Sequence, residues 1–150
     1  MRRRELSLGI GAVLKLESLG VKIFADGADI STMVEMSAKP HIKGLTTNPT
    51  LMRKAGISDY KKFAKEVLSE IKDKPISFEV FSDDLNEMKS QDMEIASWGQ
   101  NVNVKIPVTN TRGEFCGPLV KRLSNAGVQL NVTAVMTLDQ VQRIADQLAD

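Results

Sequence analysis

The chain has 150 residues, 20 Lys+Arg against 19 Asp+Glu, and 42% hydrophobic and 26% charged residues. That is long enough for one domain with a core and too apolar for a disordered chain. The near-zero balance argues against a nucleic-acid or membrane partner, because outside the first four residues no basic patch is present.

Residues 1–20 begin with three arginines, then run apolar from Leu6 to Leu16. Glu5, Lys15 and Glu17 interrupt the pattern of a signal peptide, and the apolar part is too short to span a membrane. A short amphipathic helix or a loose extension is expected there, with the domain occupying 21–150.

From Val21 on, short apolar runs alternate with helical ones. "VKIFAD" (21–26) reads as a strand, and about 30–38 as a helix. "IKGLTTN" (42–48) reads as a strand and loop. A long helical region follows, strongest over 58–74. There Ser58 or Asp59 can cap, and Tyr60, Phe63, Ala64, Val67, Leu68 and Ile71 form one apolar face. "PISFEVF" (75–81) is a third strand. Residues 83–99 are helical, with Leu85, Met88, Met93, Ala96 and Trp98 on the apolar side. "VNVKIPVT" (102–109) is a fourth strand, and 117–127 a helix with Pro118 in its first turn and Gly127 at its C′ position. "VQLNVTAV" (128–135) is a fifth strand. A last helix covers 137–150, with Thr137 and Gln140 spaced as a capping box.

This alternation predicts right-handed βα units on a parallel sheet, either doubly wound or closed as a barrel. The first strand ends in "ADGAD", not G-x-G-x-x-G, and no Walker A loop is present. Strand parity is the more telling signal. Ile76, Phe78 and Val80 oppose Ser77 and Glu79. Val102, Val104 and Ile106 oppose Asn103 and Lys105. Val128, Leu130 and Val132 oppose Gln129, Asn131 and Thr133. The apolar face is expected to pack on helices. The polar face is expected to line a barrel interior, with Glu79, Lys105 and Thr133 near the strands' C-terminal ends, where barrel enzymes keep their sites. Two plainer readings stand beside this. One is an antiparallel sheet with a solvated face, which the intervening helices disfavour. The other is a Lys–Glu ion pair that only fixes packing.

Burying a lysine disfavours its charged form, and the neutral amine can attack a carbonyl to form a Schiff base. Such chemistry needs a carboxylate to move protons and donors to hold hydroxyls. Asp26, Glu79, Asn48 and Thr133 are suitable by type and position. His41 is the only histidine and Cys116 the only cysteine, so neither a metal cluster nor an intrachain disulfide is expected. The lone cysteine fits a reducing compartment.

"KIFADGAD", "GLTTNPTLM", "FEV", "NVKIPVT" and "LNVTAVMT" come in the order and rough spacing of the transaldolase family. The chain especially resembles its small members related to fructose-6-phosphate aldolase, over about 21–150. The resemblance implies a partial (β/α)8 TIM barrel of the α/β class with about five βα units. It implies cytoplasmic, Schiff-base transfer of a dihydroxyacetone unit between sugar phosphates in the pentose phosphate pathway, with no cofactor and no metal. Sugar phosphates would be the partners, with a homo-oligomer left open.

Carried over, Lys105 would form the imine and Asp26 would be the acid/base at the hydroxyl beside the breaking bond. Asn48 would hold dihydroxyacetone hydroxyls, and Glu79 would act through a water held partly by Thr133. Asn48-Pro49 is equally a helix-entry dipeptide. Arg112 reads as a solvated loop charge. Members of the family acting mainly as aldolases tend to carry glutamine where Glu79 stands, so the glutamate leans toward transaldolase. The family barrel has eight strands, and its phosphate-binding serine and arginines follow the sixth and seventh. The chain is therefore expected to be a C-terminally truncated transaldolase whose named residues carry the reaction at least in the full-length parent; the alternatives are an inactive or partner-dependent half-barrel and a fructose-6-phosphate-type aldolase.

Overall fold

The structure, a computed structural model, describes residues 20–149. The expected helix or extension over residues 1–20 falls almost wholly outside them. Five strands alternate with helices: β1 (Ile23–Asp26), α1 (Ile30–Ser37), β2 (Ile42–Thr46), α2 (Pro49–Lys54), α3 (Tyr60–Glu70), β3 (Ile76–Glu79), α4 (Leu85–Ala96), β4 (Val102–Pro107), α5 (Gly117–Asn125), β5 (Leu130–Thr133) and α6 (Leu138–Leu148). All four strand pairings are parallel and the order is β1-β2-β3-β4-β5. The sheet curls into a half-barrel with β1 and β5 at its edges, as the family resemblance implied for about five βα units.

Local chemistry sets the helix ends. Asp29, Asn48, Asp59 and Asp84 each cap a helix by accepting a backbone N–H. Thr137 and Gln140 form the reciprocal capping box expected for α6. Gly127, just past α5, has φ +80°, the left-handed C′ conformation that glycine adopts without steric cost. The long helical region after β2 is two helices. The chain breaks at Gly56, whose φ of +73° leaves helical space, and Asp59 rather than Ser58 starts the second.

The core lies on the convex side, between sheet and helices. Ile76, Phe78, Val104 and Ile106 from the strands meet Phe63, Ala64, Val67, Met88, Ile95, Leu119, Val120 and Leu123 from the helices. The expected parity holds: along β4, Val102, Val104 and Ile106 are buried, whereas Asn103 and Lys105 are only half-buried on the concave face. α4 departs from expectation. Met93 is exposed, and Asp92, one turn on from Met88 and just before Ile95, takes the buried position. Near the other end of the concave face, the Phe24 ring lies over Gly44, close enough that a Cβ there would overlap it.

Candidate active site

Successive rungs of the sheet order the concave face. Asp26 pairs with Thr46, Thr46 with Ser77, and Ser77 with Asn103. One step toward the C-terminal rim, Glu79 pairs with Lys105, and Lys105 with Asn131. Thr133 pairs with Pro107, a further step out. Because side chains alternate along a strand, each of these polar residues is carried inward by the same parity that buries its apolar neighbours outward.

Lys105 and Glu79 are in direct contact. Nζ lies 3.6 Å from Oε2, with side chains only 13% and 21% exposed. This is an ion-pair distance without the close geometry of a hydrogen bond, so the pair can part without breaking a tight link. On the same face, Asn131 Nδ2 donates to Ser77 Oγ at 2.9 Å, reaching from β5 across β4 to β3. The buried Oδ1 of Asn103 and Oγ1 of Thr46 have no hydrogen-bond partner.

The other candidates lie off the Lys105 rung: Asp26 is level with Ser77 and Asn103, Asn48 follows the end of β2, and Thr133 is one step further out. Asp26 ends β1 and is exposed. Asn48 Oδ1 accepts the Leu51 N–H at 2.9 Å, so the cap reading of this residue is realised. Its amide nitrogen remains a donor in type for a hydroxyl group. Thr133 is half-buried, and its carbonyl accepts the Val108 N–H at 2.9 Å. Ala134, the next residue, has φ 58°, a left-handed backbone that L-residues other than Asn and Asp seldom adopt. None of these three residues is hydrogen-bonded or ion-paired to Lys105 among the described contacts.

The loops above the site are tied to each other. Asp83, after β3, accepts Thr111 N–H and Thr111 Oγ1–H at 2.8 and 2.7 Å. These bonds hold its carboxyl below the usual carboxylate range. Asn110 Oδ1 accepts the backbone N–H groups of Arg112 and Glu114, folding the loop into a tight turn through Gly113. Arg112 is exposed and paired with Glu114 at 3.0 Å, consistent with a solvated loop charge. Cys116 is buried at the start of α5, and burial pushes its thiol up.

The concave face continues, at the end opposite the rim, into a cavity of about 570 Å³ lined by Phe24, Lys43, Asn103 and Gln129. A wider cleft of about 630 Å³ lies on the helical side, between Asp29, Gly56 and Phe63, away from Lys105. No group of three or more His, Cys, Asp or Glu side chains is arranged to hold a metal ion among the described residues. Nor is any described helix long and apolar enough to cross a membrane.

Sequence reasoning put Ser77 and Asn131 on the polar face but did not single them out. The missing signal was register. Counting inward from the strand ends would have placed Asn131, not Thr133, beside Lys105.

Comparison with known proteins bears on this arrangement. The sequence model of the family described as Transaldolase/Fructose-6-phosphate aldolase matches residues 23–150. A probable transaldolase of Dehalococcoides mccartyi is 37% identical over 120 residues, 80% of this chain and 54% of that protein. Probable transaldolases of Streptococcus agalactiae and Methanococcus maripaludis are 38% and 36% identical over 120 residues, 80% of this chain and 53% of theirs. The chain thus spans about half the length of the curated relatives it matches.

Proposed function

This chain belongs to the transaldolase/fructose-6-phosphate aldolase family, and from that premise we propose that its concave face performs Schiff-base aldol transfer of a dihydroxyacetone unit between sugar phosphates. The observation that carries the proposal is the Lys105–Glu79 pair, shielded on the polar face of adjacent strands near their C-terminal ends.

In the proposed reaction Lys105 gives up a proton, with Glu79 as its nearest carboxylate, and the free amine attacks the ketone carbon of the donor. Water leaves, its oxygen protonated through Glu79 and a water held partly by Thr133, and an iminium forms. Asp26 removes the proton from the hydroxyl beside the bond to be broken. That C–C bond cleaves, its electron pair moves into the iminium to give an enamine, and the aldehyde fragment departs. Addition of the enamine to an acceptor aldehyde and hydrolysis of the new iminium complete the transfer. Asn48 would steady the dihydroxyacetone hydroxyls through its amide nitrogen. Glu79 favours transfer over release of free dihydroxyacetone. A place in the pentose phosphate pathway and a cytoplasmic location are part of the same proposal.

Borohydride trapping tests it. With a ketose phosphate present, reduction should fix an adduct on Lys105, and Lys105→Met should abolish it. No adduct, or an adduct on another lysine, would sink the proposal. Free dihydroxyacetone without an acceptor aldehyde would favour the aldolase alternative.

A second reading is that the chain acts only when another polypeptide covers its open side. Met136 and Leu138, 84% and 87% exposed next to β5, favour it. Trapping at Lys105 by the isolated monomer would count against it.

A further inference from the structure

The β2–β3 ladder has a missing rung at its most consequential point. In a parallel pair, alternate residues of one strand donate to alternate carbonyls of the next. Here Leu45 N–H donates to Pro75 O and Thr47 N–H to Ser77 O. Two residues further on, the donor to Glu79 O would be residue 49. That residue is Pro49, which has no N–H. Glu79 ends β3, and its carboxylate is the one facing Lys105.

Tyr60 fills the gap. Its hydroxyl donates to Glu79 O at 3.1 Å, from the first turn of α3 on the opposite side of the sheet from Lys105. Burial pushes the phenol well above its ordinary value of 10.0, so the hydroxyl stays protonated and remains a donor. The ring is itself held. It meets Phe81 edge-on at 4.6 Å, Trp98 at 5.3 Å and Phe78 at 5.9 Å. Phe78 and Phe81 flank Glu79 in sequence, so the aromatic group grips the strand end on both sides of it. Val80 N–H, next in the chain, donates to Lys105 O at 3.2 Å. A shift of the Glu79 peptide would therefore be felt in both the carboxylate and the strand bearing the lysine.

We propose that Tyr60 is a positioning residue for the Lys105–Glu79 pair, substituting its hydroxyl for the backbone donor that Pro49 removes and fixing the Glu79 carboxylate from behind the sheet. Its value to the reaction rests on the Schiff-base reading above, but its effect on the pair does not.

Tyr60→Phe deletes one oxygen and keeps the ring in its aromatic setting. The readout is the pH profile of Lys105 acetylation by trace acetic anhydride in the 150-residue chain, followed by peptide mass. A displaced carboxylate should move that profile by about half a pH unit, on the order of a threefold change in rate at fixed pH. Lysines far from the site, such as Lys43 and Lys121, should be unaffected. A superimposable Lys105 profile would overturn the proposal, whether or not the variant melts earlier, because a merely structural tyrosine would lower stability alone. Should Tyr60→Phe fail to fold, the wild-type chain still decides. Beyond the shifts that exchange of the Glu79 and Val80 N–H groups itself produces, the Glu79 carbonyl carbon should show a further deuterium isotope shift from the Tyr60 hydroxyl in mixed H2O and D2O, and its absence would overturn the proposal. Borohydride trapping of wild type remains a separate test: its failure would remove the aldol reading without altering either measurement.

Discussion

Asp92 shows how one residue can oppose the fold around it. It sits on the buried face of α4 with neither carboxylate oxygen hydrogen-bonded. Desolvation raises its pKa from 3.8 to about 7. The folded state thus prefers the neutral acid, whereas the unfolded state ionises it near 3.8. Below that pH both states are protonated and the residue is harmless. As pH rises toward 7 the unfolded chain gains charge that the folded chain refuses, and stability falls; above about 7 the full cost is present. Asp92→Ala removes the group and suits a helix. Its advantage over wild type should be larger at pH 8 than near pH 4, by about 1–3 kcal/mol once the shift is discounted for partial solvent access, because only the charged form is refused by the folded state. Urea midpoints at the two pH values check this. A variant weaker at both would mean that Asp92 is stabilising. The sequence concealed this residue because aspartate in a helical run reads as solvated. Only the spacing from Met88 to Ile95 marks position 92 as inward. Lys105 was legible for the opposite reason: strand parity is strict, so a lysine among valines had to share a face with Asn103. Asn131 and Tyr60 were less so. One depended on register between strands, the other on a hydrogen bond crossing the sheet, and neither is encoded in local periodicity.

At the scale of elements, caps and turns were the most readable features because their chemistry is local. Thr137, Gln140 and Gly127 act as their types dictate. The break between α2 and α3 was missed because apolar spacing continues past it, and only Gly56 and Asp59 signal the interruption. Long-range ties were not readable. Lys74, which the sequence pattern puts at the tail of a helix, lies beyond α3 and extends Nζ to the carbonyls of Ser37, Ile42 and Lys39 at 2.5, 2.6 and 2.9 Å. It joins the end of α1 to both ends of the β2 entry, at the N-terminal end of the sheet. Asn101 adds a second clasp, donating to Ile71 O and Lys74 O at 2.9 Å. Hydrogen bonds from a charged donor are stronger than neutral ones, and the carbonyls lose their partner when it goes. Lys74→Met should therefore cost on the order of 2 kcal/mol in urea denaturation while leaving Lys105 trapping intact, since the clasp lies at the far end from the rim. A loss of trapping in a chain that remained folded would show that the two ends of the strands are coupled.

For the whole molecule, the question is how a half-barrel keeps its shape. Its hydrophobic core lies between the convex face and the helices, a two-layer arrangement that does not need closure of the barrel to exclude water. The concave face is polar where a closed barrel would be sealed. Asn103, Lys105 and Asn131 can meet water there at little cost, whereas apolar residues could not, and the buried Ser77 is satisfied by Asn131. The same bookkeeping makes the molecule uneven along its sheet. β3 and β4 carry fully buried residues and have neighbours on both sides. β5 has no fully buried residue, and Ile144 alone is buried in α6, while Leu138, Val141 and Leu148 remain exposed. Local opening takes place where few apolar contacts must be broken. Native-state hydrogen exchange should therefore find the slowest amides at Phe78, Val104 and Ile106. Those of α6 should exchange at least tenfold faster, a difference of about 1.4 kcal/mol in opening free energy. If α6 were covered by another polypeptide in solution, its amides would gain protection as protein concentration rises, while those of β4 would not change. Equal protection of α6 and β4 at high dilution would contradict this account, because it would require burial of the last helix that its exposed leucines and valine do not provide.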